Sequence, residues 1–207
     1  MFKNHSIEIE KMFATNDSEI REAFHKKKLK SQHEDNQTLV IDELGLMHGS
    51  NRIDIAVVNG CIHGYEIKSS KDTLTRFKDQ LDTYMKTLQK LTVIVAPNHT
   101  SGILDVAPDW VGIIIATKGS KGAIHFRTLR KAKRNPKVEA IKVAHLLWKD
   151  ETQALLEELG VSSNNRRATR LDLYKTLVEH ISTDQLVKNI KVTFENRSNW
   201  RSGVQLV

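Results

Sequence analysis

Apolar positions along the chain follow two rhythms, and each change of rhythm marks an element. Ile20, Phe24 and Leu29 recur at helical spacing behind Asp17, a side chain able to cap a first turn. Lys26, Lys27, Lys28 and Lys30 gather at the other end, where cations suit the helix dipole. This pattern predicts a helix over 17–31. Runs of β-formers predict strands over 38–44, 53–58 and 62–68. Asn59-Gly60 between the last two is a two-residue hairpin signal, so the three strands are expected as an antiparallel meander. Leu74, Phe77, Leu81, Met85 and Leu88 then form one helical stripe, with Ser70 or Asp72 as its expected cap. The stretch 91–96 is apolar without alternation and ends at Pro97, as expected of a strand buried on both faces within a mixed sheet. A short helix over 101–106 and strands over 111–117 and 123–127 follow.

The pattern changes at 130–137, which is basic, contains Pro136 and reads as a linker or arm. Beyond it the periodicity is helical. One helix is expected over 138–159 with Gly160 as its stop, a second around Leu171, Leu177, Val178 and Ile181, and a last one capped by Thr183 or Asp184. The short turn before the last helix would allow a helix-turn-helix, although packing is the commoner use of such pairs. The chain is therefore read as an α/β core over 1–130 in the order α-β-β-β-α-β with a mixed central sheet. A basic linker and an α-helical extension over 131–207 follow it.

Composition narrows the partners. A net charge of +7 favours a polyanion, and nucleic acid, DNA first, is the expected partner. Arg130, Lys131, Lys133 and Arg134 are its expected contacts, with Arg166, Arg167 and Arg170 as a second basic group. Trp110, Trp148 and Trp200 could stack on bases, but packing is the favoured role for each. The single cysteine, Cys61, excludes a disulfide framework within the chain and fits a reducing cytoplasm. No apolar run approaches the roughly 20 residues of a membrane helix, and the first residues do not resemble a signal peptide.

Glu66-Ile67-Lys68 lies on the third expected strand, so Glu66 and Lys68 share a face and Ile67 takes the other. Counting back through the hairpin sets Asp54 opposite the region of Glu66. Two carboxylates and a lysine at one end of a meander suit a divalent cation acting on a phosphodiester. Asp54, Glu66 and the Ile67 carbonyl would supply oxygen ligands to Mg2+ (or Mn2+), and Lys68 would assist a water. His63 faces the other way and is given no role.

The run Asp54, eleven residues, then Glu66-Ile67-Lys68 resembles the PD-(D/E)XK nuclease superfamily, the restriction-endonuclease-like fold. Ile53 stands where the strict motif has Pro. Gln80 and Tyr84, four apart on the second helix, resemble the Gln-xxx-Tyr motif of RecB-like members. Glu43 resembles a further acid ligand, Arg52 the base of Arg-x-Asp variants, and Glu19 or Glu22 a helix acid. More narrowly, the stretch from Glu43 through Lys68 resembles a bacterial family of unassigned function. The resemblance implies a metal-dependent hydrolase cutting phosphodiester bonds, DNA foremost, as a possible homodimer. Its alternative is an inactive nucleic-acid-binding module or adaptor in repair, mobile-element or defence systems.

Overall fold

A computed structural model describes residues 14–161 and 168–197. Helix α1 (Asp17–Lys28) opens it, followed by a single extra turn, α2 (Lys30–Glu34). Six strands form one sheet in sequence order: β1 (Leu39–Leu46), β2 (Asn51–Val58), β3 (Ile62–Lys68), β4 (Lys90–Val95), β5 (Gly112–Lys118) and β6 (Ile124–Arg130). β1, β2 and β3 form the expected antiparallel meander. β3, β4 and β5 run parallel, and β6 returns antiparallel along the edge. Helices α3 (Phe77–Thr87) and α4 (Thr100–Val106) make the two crossovers that parallel pairing requires. Four helices complete the described chain: α5 (Ala140–Ala144), α6 (Lys149–Glu158), α7 (Arg170–His180) and α8 (Thr183–Asn196).

The sheet is covered on both faces, which explains the unbroken apolar run of β4. On one face Ile20 and Phe24 of α1 pack on Ile67, Ile94 and Ala116. On the other, Leu81, Tyr84 and Leu88 lie over Val93 and Ile113, and Val143, Leu147, Leu177 and Val187 of the C-terminal helical region join the same core. The apolar faces of α7 and α8 are spent in this packing: Leu173, Tyr174, Leu177, Leu186, Val187 and Ile190 are all buried.

Four local expectations are corrected. Asn16, not Asp17, caps α1, its side chain accepting from the Glu19 amide. Helix α3 starts at Phe77 because its expected caps are engaged elsewhere: the Asp72 carboxylate accepts from the Ser69 amide and hydroxyl, and Ser70 bonds Thr15. Val58 pairs with Ile62, so the hairpin turn has three residues, 59–61, with Gly60 at φ 64°. The expected helix 138–159 splits into α5 and α6, because Trp148 adopts extended backbone and its amide donates to Glu151 as a cap.

The basic segment after β6 is a pinned strap. The Lys133 amide donates to Trp110 O, the Asn135 amide to Gln89 O and the Glu139 amide to Lys86 O. The buried Asn135 side chain also donates to the carbonyls of Met85 and Leu88. Among the described residues no helix is long and apolar enough to cross a membrane.

Candidate functional site

The β2–β3 register pairs Ile55 with Tyr65, and one further step sets Asp54 against Glu66 at the end of the meander. Strand parity puts Glu66 and Lys68 on the α3 face, where both are buried. The Lys68 ammonium donates to Glu66 Oε1 at 2.6 Å and to Gln80 Oε1 at 3.1 Å. Tyr84, fully buried one helical turn after Gln80, places its hydroxyl 2.7 Å from Glu66 Oε2 and 2.8 Å from the Arg52 carbonyl. Asp54 Oδ2 accepts from the Ile67 amide at 2.6 Å.

The remaining Asp54 oxygen meets a residue that the sequence did not single out. Arg21 reaches across from α1, donating from Nη2 to Asp54 Oδ1 at 3.1 Å and from Nη1 to the Asp54 carbonyl at 2.6 Å. The same Nη2 lies 3.1 Å from Asp17 and 2.6 Å from Glu43. Glu43 falls between the pairs Asp42–Ile55 and Leu44–Ile53, opposite Asp54 in the same register, with φ 57°. Arg52 closes the rim at 3.3 Å from Glu43 Oε2. The one sequence signal for Arg21 is its position four residues after Asp17, the spacing of a helical ion pair. Glu19 and Glu22 stay outside the cluster, on Lys118 and Lys26.

Burial sets the electrostatics. Desolvation and the Glu66 charge push the Asp54 carboxyl up to about 8, against the Ile67 amide and Arg21. Desolvation also raises Glu66, with Lys68 and Tyr84 opposing. Burial and Glu66 drive the Tyr84 phenol far above its ordinary range, so it remains protonated. All four carboxylate oxygens of Asp54 and Glu66 thus have protein donors within 3.1 Å. Among the described residues, no three His, Cys, Asp or Glu side chains group to hold a metal ion.

The structure therefore brings together Asp54, Glu66, Ile67, Lys68, Gln80 and Tyr84, with Glu43 and Arg52 at their rim. Arg130, Lys131, Lys133 and Arg134 lie elsewhere. Arg130 and Lys131 line a cavity with His63, at the opposite end of β3 from Lys68. The Arg130 guanidinium donates to carbonyls of Ala107, Pro108 and Val111, and Arg134 pairs with Asp184. Arg170 contacts His48. Trp110 is buried, and the exposed Trp148 stacks on Arg197. Arg166, Arg167 and Trp200 lie outside the described residues.

Residues 12–203 match the family described as bacteriophage P4 protein cII. The chain belongs to that family. Protein cII of Enterobacteria phage P4 is 25% identical over 158 residues, a match covering 76% of this chain and 59% of the relative. The chain thus spans less than two thirds of that relative's length. No solved structure matches the chain.

This membership overturns the resemblance to PD-(D/E)XK nucleases drawn from the Asp54–Glu66–Lys68 spacing. With it goes the expected phosphodiester hydrolase, and the family match gives no clear support to the alternative, an inactive nucleic-acid-binding module or adaptor in repair, mobile-element or defence systems. The residue types that cleave phosphodiesters stand together, but their charges are spent on one another: Lys68 on Glu66, Arg21 on Asp54.

Proposed function

We propose that this chain binds nucleic acid, DNA foremost, along the cationic sheet edge formed by β6, the strap after it and the end of α1, and that it holds the polymer without cutting it. The observation that supports this most is the run 118–142, which carries nine Lys or Arg against one acid, Glu139. Arg127, Lys131, Lys133 and Lys137 are exposed, and none of them forms an ion pair among the described residues. The lysine-rich end of α1 joins them, since the Lys27 ammonium donates to the Ile124 carbonyl at 2.7 Å. Unspent cations along an edge strand and a fixed strap suit a phosphate backbone, whose counterions they would release.

A divalent cation, Mg2+ or Mn2+, belongs to the same proposal. The donors fit a hard ion by type, oxygens from Asp54 and Glu66, and a divalent charge would favour the ionised forms that burial opposes in both carboxyls. Its role would be to stiffen the end of the meander. Calorimetric titration with Mn2+ should give heat with the wild type and none with Asp54→Asn; equal heats would remove the assignment.

The binding test is fluorescence anisotropy with labelled duplex DNA, single-stranded DNA and RNA, in Mg2+ and in EDTA. The same samples are then run on denaturing gels. Duplex should bind in both buffers and stay intact, and Arg127→Gln/Lys133→Gln/Lys137→Gln should weaken binding about tenfold or more. No binding to any polymer, or no change in the triple variant, would overturn the proposal.

A further inference from the structure

At the end of β3 away from the carboxylates, the sheet opens into a cavity of about 250 Å3 between α1, β4 and the strap. Lys28, Lys90 and Lys131 line it, and no Asp or Glu does. None of their ammonium groups has a hydrogen bond or ion pair among the described residues. Arg130 contributes only its stem, since its guanidinium is bound to loop carbonyls. Three lysines without an ion pair lining one small space repel one another, and a multiply charged anion would offset that repulsion.

The wall is not a plain anion hole. His63 and Tyr65, alternate residues of β3, stack with ring centroids 4.2 Å apart and planes 24° from parallel. Their orientation is fixed: His63 Nε2 lies 2.8 Å from Thr92 Oγ1 and Nδ1 lies 3.2 Å from the Tyr65 hydroxyl. A preset aromatic surface beside three free ammonium groups matches a ligand with a planar ring and a phosphate. The cavity is smaller than the roughly 300–1,000 Å3 of drug-sized pockets, which limits the ligand to one such unit.

We infer that this cavity is a nucleotide site, with the phosphate held by Lys28, Lys90 and Lys131 and the base placed against the His63–Tyr65 pair. Two sources share that chemistry, a free nucleoside phosphate and the terminal nucleotide of a strand lying on the cationic edge; only the second rests on the nucleic-acid proposal above. Lys131 belongs to both the cavity and the edge, so a strand could run from one into the other.

Calorimetry on the full chain tests this with AMP, ribose 5-phosphate, inorganic phosphate, and a short DNA strand with and without a 5′-phosphate. Wild type is compared with Lys90→Gln, which keeps the stem and removes the charge, and with Tyr65→Leu, checked for folding by circular dichroism. AMP should saturate and bind more tightly than ribose 5-phosphate or inorganic phosphate. Lys90→Gln should weaken it about tenfold, and Tyr65→Leu should erase the preference for AMP over ribose 5-phosphate. A strand preferred for its 5′-phosphate over AMP assigns the strand end; AMP equal or better assigns the free nucleotide. Saturable AMP binding without any duplex binding would retain the site and sink the nucleic-acid proposal. No saturable AMP binding, an unchanged Lys90→Gln, or inorganic phosphate binding as tightly as AMP would overturn the nucleotide site.

Discussion

Glu66 keeps its charge partner two residues away on its own strand, so the buried pair with Lys68 forms as soon as β3 is extended. Removing one member leaves the other uncompensated. Lys68→Met should cost about 3–5 kcal/mol in urea unfolding. The double variant Glu66→Gln/Lys68→Met should cost clearly less than the two single changes added together. Additive losses would show that the pair is not coupled. Asp54 yields a pH prediction. Its carboxyl, ordinarily near 3.8, is pushed up to about 8 in the folded chain. Between those values the folded state holds a proton that the unfolded state has released, so stability falls as pH rises through the window. Asp54→Asn removes this slope, and its stability relative to wild type should therefore increase between pH 5 and pH 8.5. A constant difference across that range would contradict the burial assigned to Asp54. Glu66, Lys68 and Asp54 were legible in the sequence because strand parity and hairpin counting fix relative position over a few residues. Arg21 was not, because its contact with Asp54 spans 33 residues and depends on how α1 lies across the sheet.

At the scale of elements, the meander, the buried β4 strand and the helical stripe of α3 were readable from periodicity alone. The misplaced boundaries have a common cause, competition from side-chain hydrogen bonds. Asp72 could have capped a helix, but it closes a turn on Ser69, and α3 begins five residues later at Phe77. The segment 130–137 looked like a linker because its composition is basic and contains proline. It is held down by backbone bonds and by Asn135, which composition does not reveal. Asn135→Ala would remove two donors from the buried strap and leave the Leu88 and Met85 carbonyls short of a partner. It should destabilise the chain by about 1–3 kcal/mol, and amide exchange should rise first at Lys133 and Asn135. Unchanged protection there would mean that the strap is held by something other than Asn135.

Over the whole molecule, the function read from the sequence failed, while the coarse expectation of an α/β chain with a mixed sheet held. Residue types at a given spacing report which chemistry is available, not whether the charges are already spent. Here the carboxylate–lysine cluster closes on itself, and the chain belongs to the bacteriophage P4 protein cII family. The charge that stays unspent lies at the end of α1, on β6 and on the strap, where six of the nine cations in the run 118–142 form no ion pair among the described residues. Nucleic acid on that edge is the central claim, and salt is its most direct probe. The measurement is the affinity for a labelled duplex as a function of salt concentration, for wild type and for Arg127→Gln/Lys133→Gln/Lys137→Gln. Affinity should fall steeply and linearly on logarithmic axes, and the triple variant should show a slope shallower by roughly one for each phosphate it no longer neutralises. A duplex that does not bind at low salt, or a slope identical in the two proteins, would contradict it.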